Sequence, residues 1–273
     1  MYRYSILALA LVLACQPEQR PTRPPAADLL ASGTWVDLSH DFSESTIYWP
    51  TAKPFDLDVV SAEMTPGGFF YAANDFSTSE HGGTHLDAPF HFAKGGHTAD
   101  RIPLDRLIGP AVVIDVVTRA DADRDYRLDV PALEAWEREH GRIPDSSIVL
   151  IRTGWSNRWP DKARYLGTTR TGPAGVAELH FPGIDSSAGG WLAQERRVKA
   201  VGIDTPSIDY GQSQSYDTHR ILMGQNIPAF ENVAGLERVP ARGALVVALP
   251  MKIKGGSGGP LRIVALVPAT ASP

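Results

Sequence analysis

The chain has 273 residues, enough for one large domain or two small ones. Apolar residues make up 43% of it, an ordinary globular share that supports a full hydrophobic core. The formal charge of −5, with Lys and Arg dispersed, leaves no nucleic-acid footprint, and the single cysteine rules out disulfides, thiolate zinc sites and cysteine-protease chemistry in the mature body.

In chain order, the first segment reads as an export signal. Met1-Tyr2-Arg3 is weakly basic, and the apolar run from Ile6 to Ala14 is far shorter than the roughly 20 residues that span a bilayer. Residues 1–15 end in "VLAC", which resembles the lipobox of bacterial lipoproteins, with Cys15 as the lipid-bearing residue. Soluble export after cleavage is the alternative. Residues 16–33 are Pro-rich and read as a semi-extended tether. The expected location is the periplasm, with the membrane touched only through a lipid on Cys15.

Residues 34–270 read as one folded domain. "TWVDLSH" (34–40), "FDLDVVSAE" (55–63) and "AVVIDVVT" (111–118) are strand-like runs bounded by Gly, Pro or polar clusters. Asp129-Val130-Pro131 opens a helix with a capping residue and an early proline, and Gly141 stops it. "SIVLIRT" (147–153) reads as a fully buried strand. Asp185 and Ser186 cap a second helix, "AGGWLAQERR", although its glycine pair weakens it by roughly 1 kcal/mol per Gly. "KAVGID" (199–204) is another buried strand, and "ALVVALPMKI" with "LRIVALV" closes the chain as a pair around a Gly-rich turn. Strands interleaved with helices predict a single α/β domain with a mixed β-sheet core and flanking helices.

The chemistry concentrates in "EHGGTHLDAPFHF", residues 80–92, which holds His81, His85, Asp87 and His91. A helical H-E-x-x-H reading fails, because Gly82 and Gly83 lie between the first two histidines and Pro89 follows. An extended reading works better. His85, Asp87, Pro89 and His91 share one parity, so a strand points all four to one side. The glycines permit a turn that folds His81 back over that side. Two imidazoles and a carboxylate then converge on a divalent metal with coordination positions left open.

"HGGTHLDAPFH" resembles the H-x-G-T-H-x-D-x-P-x-H signature of the cyclase-like metal-dependent hydrolases, which include bacterial kynurenine formamidase and isatin hydrolase. The likeness extends to "VDLSHDFSESTIYWP", "VLIRTGW", "VGIDTPSIDYG", "HRILMGQNIPAFENV" and "GGSGGPLRIVAL", covering about residues 35–268. The resemblance implies the swivelling β/β/α fold of that family. It implies that His81, His85 and Asp87 bind the metal and that His91 is the general acid/base. His219 and Glu231 match the distal pair that holds a second ion in formamidases, so one or two ions, zinc or manganese, are expected. Trp49 matches a substrate-contacting tryptophan. The implied activity is hydrolysis of the amide C–N bond of a small aromatic substrate by metal-activated water, of arylformamidase (N-formylkynurenine) type. Opening of a cyclic amide, as in isatin hydrolase, is the rival, and Gln212 and Ser213 in the "DTPSIDYGQS" loop point that way. A homo-oligomer is expected from the same resemblance.

Three other readings are weaker. A 2-His-1-carboxylate iron oxygenase leaves His81 and His91 without a role. "GGSGG" (255–259) matches G-x-S-x-G literally, but Pro260 and a strand follow it where a nucleophile elbow needs a helix. A non-catalytic exported binding protein has no need of an open metal shell.

Overall fold

Alternate residues of the central strands serve two different cores, which is why these strands read as continuous apolar runs rather than as half-buried ones. The computed structural model describes residue 30 and residues 32–269, so the expected signal, Cys15 and most of the tether lie outside the described residues. Within them, β5 (Ile108–Asp115), β7 (Ile148–Arg152), β9 (Ala200–Ile203) and β10 (Ala229–Glu231) run parallel. Ala111, Val113, Ile148, Leu150 and Ala200 face one core. Their chain neighbours Val112, Ile114, Val149, Ile151 and Val201 face the other.

Antiparallel strands complete the sheet: β1 (Thr34–Asp37), β4 (His85–Asp87), β11 (Arg242–Pro250) and β12 (Gly258–Val267). The order is β1-β12-β11-β5-β7-β9-β10-β4, and β4 also pairs with β12. That extra pairing closes the sheet into a barrel, with β1 as an added edge on β12. The first core fills the barrel, and the second lies between the parallel strands and the helices. A two-stranded ribbon, β6 (Arg127–Leu128) with β8 (Gly183–Ile184), lies apart from the barrel.

The helices are α1 (Leu104–Leu107), α2 (Val117–Ala122), α3 (Val130–His140), α4 (Lys162–Leu166), α5 (Gly172–Val176), α6 (Ser186–Gln194) and α7 (Asp217–Met223). The predicted caps are in place. Asp129 accepts from Ala132 N at 3.0 Å, and Gly141 ends α3 at φ 82°. Trp136 ties α3 to the sheet, its indole N–H donating to Val113 O at 2.9 Å. Asp185 caps α6 by accepting from Ser187 N. One of the two glycines that weaken α6 has a use, because a Cβ on Gly189 would stand 3.1 Å from Thr218 of α7, whereas Gly190 faces open space. Close packing there sets the helix that carries His219.

Several expected boundaries shift. The strand expected over 111–118 ends at Asp115, whose Oδ1 accepts from Val117 N at 3.0 Å and starts α2. The helix expected through Arg197 stops at Gln194, and Arg197 has φ 47°. The strand expected through His40 ends at Asp37. The expected strand at 55–63 is β2 (Asp56–Met64), and it forms an exposed hairpin with β3 (Phe70–Ser77), which the sequence pattern did not announce. No helix among the described residues is long and apolar enough to cross a membrane.

Candidate metal centre

Strand register brings the first groups together. His85 of β4 lies opposite Glu231 of β10, and Asp87 lies opposite Ala229. Facing residues of an antiparallel pair share a side, as do residues two apart, so His85, Asp87 and Glu231 project together. Leu86 and Phe230 point the other way, into the barrel core.

Turns deliver the remaining histidines. Gly83 at φ 57° adopts the left-handed conformation that folds the chain, and a Cβ there would strike the Phe42 ring at 2.8 Å. The turn brings His81 Nδ1 to 2.5 Å from Asp87 Oδ1. His219 enters from the first turn of α7, with Nε2 3.2 Å from both Asp87 Oδ2 and Glu231 Oε1. The parity expectation holds for His85 and Asp87 only. β4 stops at Asp87, because Pro89 opens a 3-10 turn that carries His91 to the site by a different route.

With the imidazoles neutral, as metal ligands are, the hydrogen bonds around the cluster leave acceptors facing acceptors at its centre. His85 Nδ1 is 2.9 Å from Gly83 O and therefore donates, so in the neutral ring Nε2 holds the lone pair. That nitrogen is buried with no hydrogen-bond partner, 3.2 Å from Asp87 Oδ1 and 3.5 Å from Glu231 Oε2. His219 Nδ1 donates to Asp209 Oδ2 at 2.5 Å, which likewise turns an Nε2 lone pair toward the two carboxylates. Buried imidazole lone pairs beside buried carboxylates call for a shared cation. The donor set of three imidazoles and two carboxylates suits a divalent metal. His81, His85 and Asp87 form one group of potential ligands and Asp87, His219 and Glu231 a second, with Asp87 common to both.

Protonation reflects the same demand in the metal-free chain. Burial opposes charge on His85, but Asp87 and Glu231 outweigh it and raise its pKa to about 9. Burial also opposes charge on His219, yet its contacts with Asp209, Asp87 and Glu231 raise it well above the usual value. Asp87 is held well below the carboxylate range by the His81 and His85 charges, against the effect of burial. Glu231 is raised by burial and by the neighbouring Asp87.

His91 behaves differently. Its ring stacks on His81 with centroids 3.9 Å apart at 22°, and its ring nitrogens form no hydrogen bond. Burial lowers its pKa to about 4, with Asp87 opposing and the neighbouring histidines adding to the fall. It is a neutral imidazole at neutral pH.

The cluster forms one wall of a cavity of about 420 Å³. Trp49, Tyr48, Ile47, Phe92, Pro206 and Tyr216 give it an apolar, largely aromatic lining. Trp49 also packs edge-on against Phe181, 6.3 Å between centroids, so one face serves the core and another the cavity. Gln212 does not line this cavity; its amide donates to Leu179 O. Ser213 contacts Asp209 Oδ1 at 3.5 Å, so neither polar residue of that loop lines the cavity. Sequence reasoning missed Asp209 and Ser257, which hold the outer nitrogens of His219 and His81, and Glu80, which accepts from Ser257. None of the three stands at a ligand-like spacing, so no local signal marks them.

Comparison with known proteins gives the family and the fold. The Cyclase family model matches residues 36–210. An isatin hydrolase from Roseibium aggregatum is 36% identical over 242 residues, covering 85% of this chain and 86% of the relative. A kynurenine formamidase from Bacillus mycoides is 26% identical over 238 residues, covering 86% of this chain and 98% of the relative. The structure of isatin hydrolase A from Ralstonia solanacearum superposes with a TM-score of 0.80 at 36% identity, covering 93% of this chain and all of that one. The fold, the acceptor-lined cluster and these likenesses converge: the chain belongs to the cyclase family and is a metal-dependent hydrolase.

Proposed function

We propose that the chain hydrolyses the amide C–N bond of a small aromatic substrate, with His81, His85, Asp87, His219 and Glu231 holding one or two divalent ions, zinc or manganese. The observation that carries this reading is the set of inward lone pairs, beside two buried carboxylates, at the wall of an aromatic cavity. A divalent ion there supplies two things, a lowered pKa for water and polarisation of a carbonyl oxygen. Trp49, Phe92 and Tyr216 clamp an aromatic ring and exclude water from the reacting bond. His91, neutral and free of hydrogen bonds, accepts a proton at a ring nitrogen from the attacking water and delivers it to the departing amide nitrogen.

Within this class, a cyclic amide of the isatin type has the stronger support, because the isatin hydrolases match at 36% identity against 26% for the Bacillus mycoides formamidase. The complete Asp87–His219–Glu231 group fits one ion or two and does not separate the two substrates. Metal analysis of the chain lacking residues 1–15, with isatin and N-formylkynurenine assayed side by side, tests both. Protein that binds metal and cleaves neither substrate, nor any other aryl amide, refutes the proposal. Export and lipidation at Cys15 belong to the same reading and are tested by palmitate labelling. Self-association is supported by the exposed apolar face of the β2–β3 hairpin, where Leu57 pairs with Phe76 and Met64 with Phe70.

A further inference from the structure

We infer that Ser257 and Glu80 form a positioning pair that fixes the His81 ring with its Nδ1 lone pair turned toward the cluster. This rests on the reading of His81 as a metal ligand. Ser257 stands in the Gly-rich turn that leads into β12. Its Oγ–H donates to Glu80 Oε2 at 2.5 Å, and its backbone N–H donates to the same oxygen at 3.0 Å. A serine hydroxyl has one proton, and Glu80 takes it. The 2.8 Å contact between Ser257 Oγ and His81 Nε2 therefore has Nε2–H as the donor. With that proton fixed on Nε2, Nδ1, 2.5 Å from Asp87 Oδ1, is the nitrogen left to face an ion. His81 thus faces the cluster through Nδ1, whereas His85 and His219 face it through Nε2.

The glycines of "GGSGG" let this turn come close enough. A Cβ on Gly258 would stand 2.4 Å from Leu86 O and 2.7 Å from His81 Cε1, and one on Gly256 would stand 2.7 Å from Glu80 Oε1. The pair also reaches the proton carrier. His91 lies flat on the His81 ring, so the plane held by Ser257 is the platform on which His91 rests.

Ser257, His81 and Asp87 trace the hydroxyl–imidazole–carboxylate connectivity of a nucleophilic triad. Two facts separate them from one. The hydroxyl proton goes to Glu80 rather than to His81, and Ser257 does not line the cavity.

The test uses zinc-loaded protein with ¹⁵N-labelled histidine. Long-range ¹H–¹⁵N correlation should show His81 protonated at Nε2 and zinc-bound at Nδ1. In chelator competition, Ser257→Ala should bind zinc roughly 10- to 100-fold more weakly. The melting temperature of its metal-free form should fall by only a few degrees, and Ser257→Thr, which keeps the oxygen, should recover most of the affinity. Zinc on Nε2 of His81 overturns the inference, and so does wild-type zinc affinity in Ser257→Ala. Covalent capture of Ser257 by a fluorophosphonate overturns it in favour of the nucleophile. If Ser257→Ala fails to fold, the ring assignment in the wild-type protein still decides. Failure of the wild-type chain to bind zinc or manganese at all refutes the metal reading itself.

Discussion

Replacing His91 by alanine separates catalysis from metal binding. The ring forms no hydrogen bond and no ion pair, so the variant leaves no buried polar group unsatisfied. It loses the stack on His81 at 3.9 Å and the edge contact with Phe92 at 4.5 Å. Such contacts are worth about 0.5–1.5 kcal/mol each. The vacated space opens onto the existing cavity, where water fills it, so no dry void is added. Stability should therefore fall by no more than about 3 kcal/mol, and metal content should stay stoichiometric. Turnover should fall by roughly 10²- to 10⁴-fold, a rise of about 3–5 kcal/mol in the barrier. Because burial keeps His91 neutral with a pKa of about 4, the ratio of wild-type to variant rate should be flat between about pH 6 and 8. Metal analysis, a thermal melt and a kcat series on one preparation check this. Loss of metal together with activity would make His91 a ligand and refute the assignment.

Asp209→Asn should weaken metal affinity by roughly 10- to 100-fold and destabilise the metal-free protein by about 1–3 kcal/mol. Asp209 uses both oxygens, Oδ1 for Thr218 N and Oδ2 for His219 N and Nδ1, and an amide puts a donor against one set. Chelator competition and urea titration measure the two effects, and an unchanged affinity excludes Asp209 from the site. Metal affinity should keep rising with pH up to about 9, because His85 and His219 hold protons in the metal-free chain that the ion must displace; a plateau near the ordinary histidine value of about 6.5 contradicts the arrangement. Asp204→Asn should cost at least about 1–3 kcal/mol, since Asp204 accepts from Thr153 N, Thr153 Oγ1, Gly154 N and Trp155 N. Burial raises the Asp204 pKa to about 6, above its unfolded value, so the folded state binds the extra proton. The wild type should therefore gain stability on the variant as pH falls from about 6 toward about 4, a trend that urea titration at several pH values will show or disprove.

Residues 81–91 were legible because their chemistry is local. The two glycines, the i, i+2 pair His85 and Asp87, and Pro89 each impose a backbone consequence within a few positions. The buried strands at 148–152 and 200–203 were legible from their unbroken apolar runs, and α3 from its cap and stop. The distal His219 and Glu231 were placed by family likeness, since nothing in their own spacing links them to residue 85. β4 was overextended because parity continues past Asp87, whereas Pro89 cannot donate to a ladder and starts a turn. β3 was missed because its alternation is broken by the consecutive Ala72 and Ala73 and by Asn74, and because the hairpin bulges between Val59 and Ser61. The positioning contacts were illegible for another reason. Glu80 with Ser257 joins positions 177 apart in the chain, and Asp209 reaches His219 through a loop of no regular period.

The barrel closes on β4, which has three residues, and these three pair on both sides. His85 lies between Glu231 and Pro260, and Asp87 lies between Ala229 and Gly258. So short a strand contributes few backbone hydrogen bonds, each worth about 0.5–1.5 kcal/mol net. Yet it carries two of the buried ionisable groups that most resist burial. On the proposed reading, a cation held jointly by β4, β10 and α7 would offset that cost at the seam where the ladder is weakest. Binding energy at the centre is then also closure energy for the barrel. This explains why the close approach at Gly256 and Gly258 belongs to the same stretch of chain as the site. The turn that completes the last pairing of the sheet is the turn that holds His81.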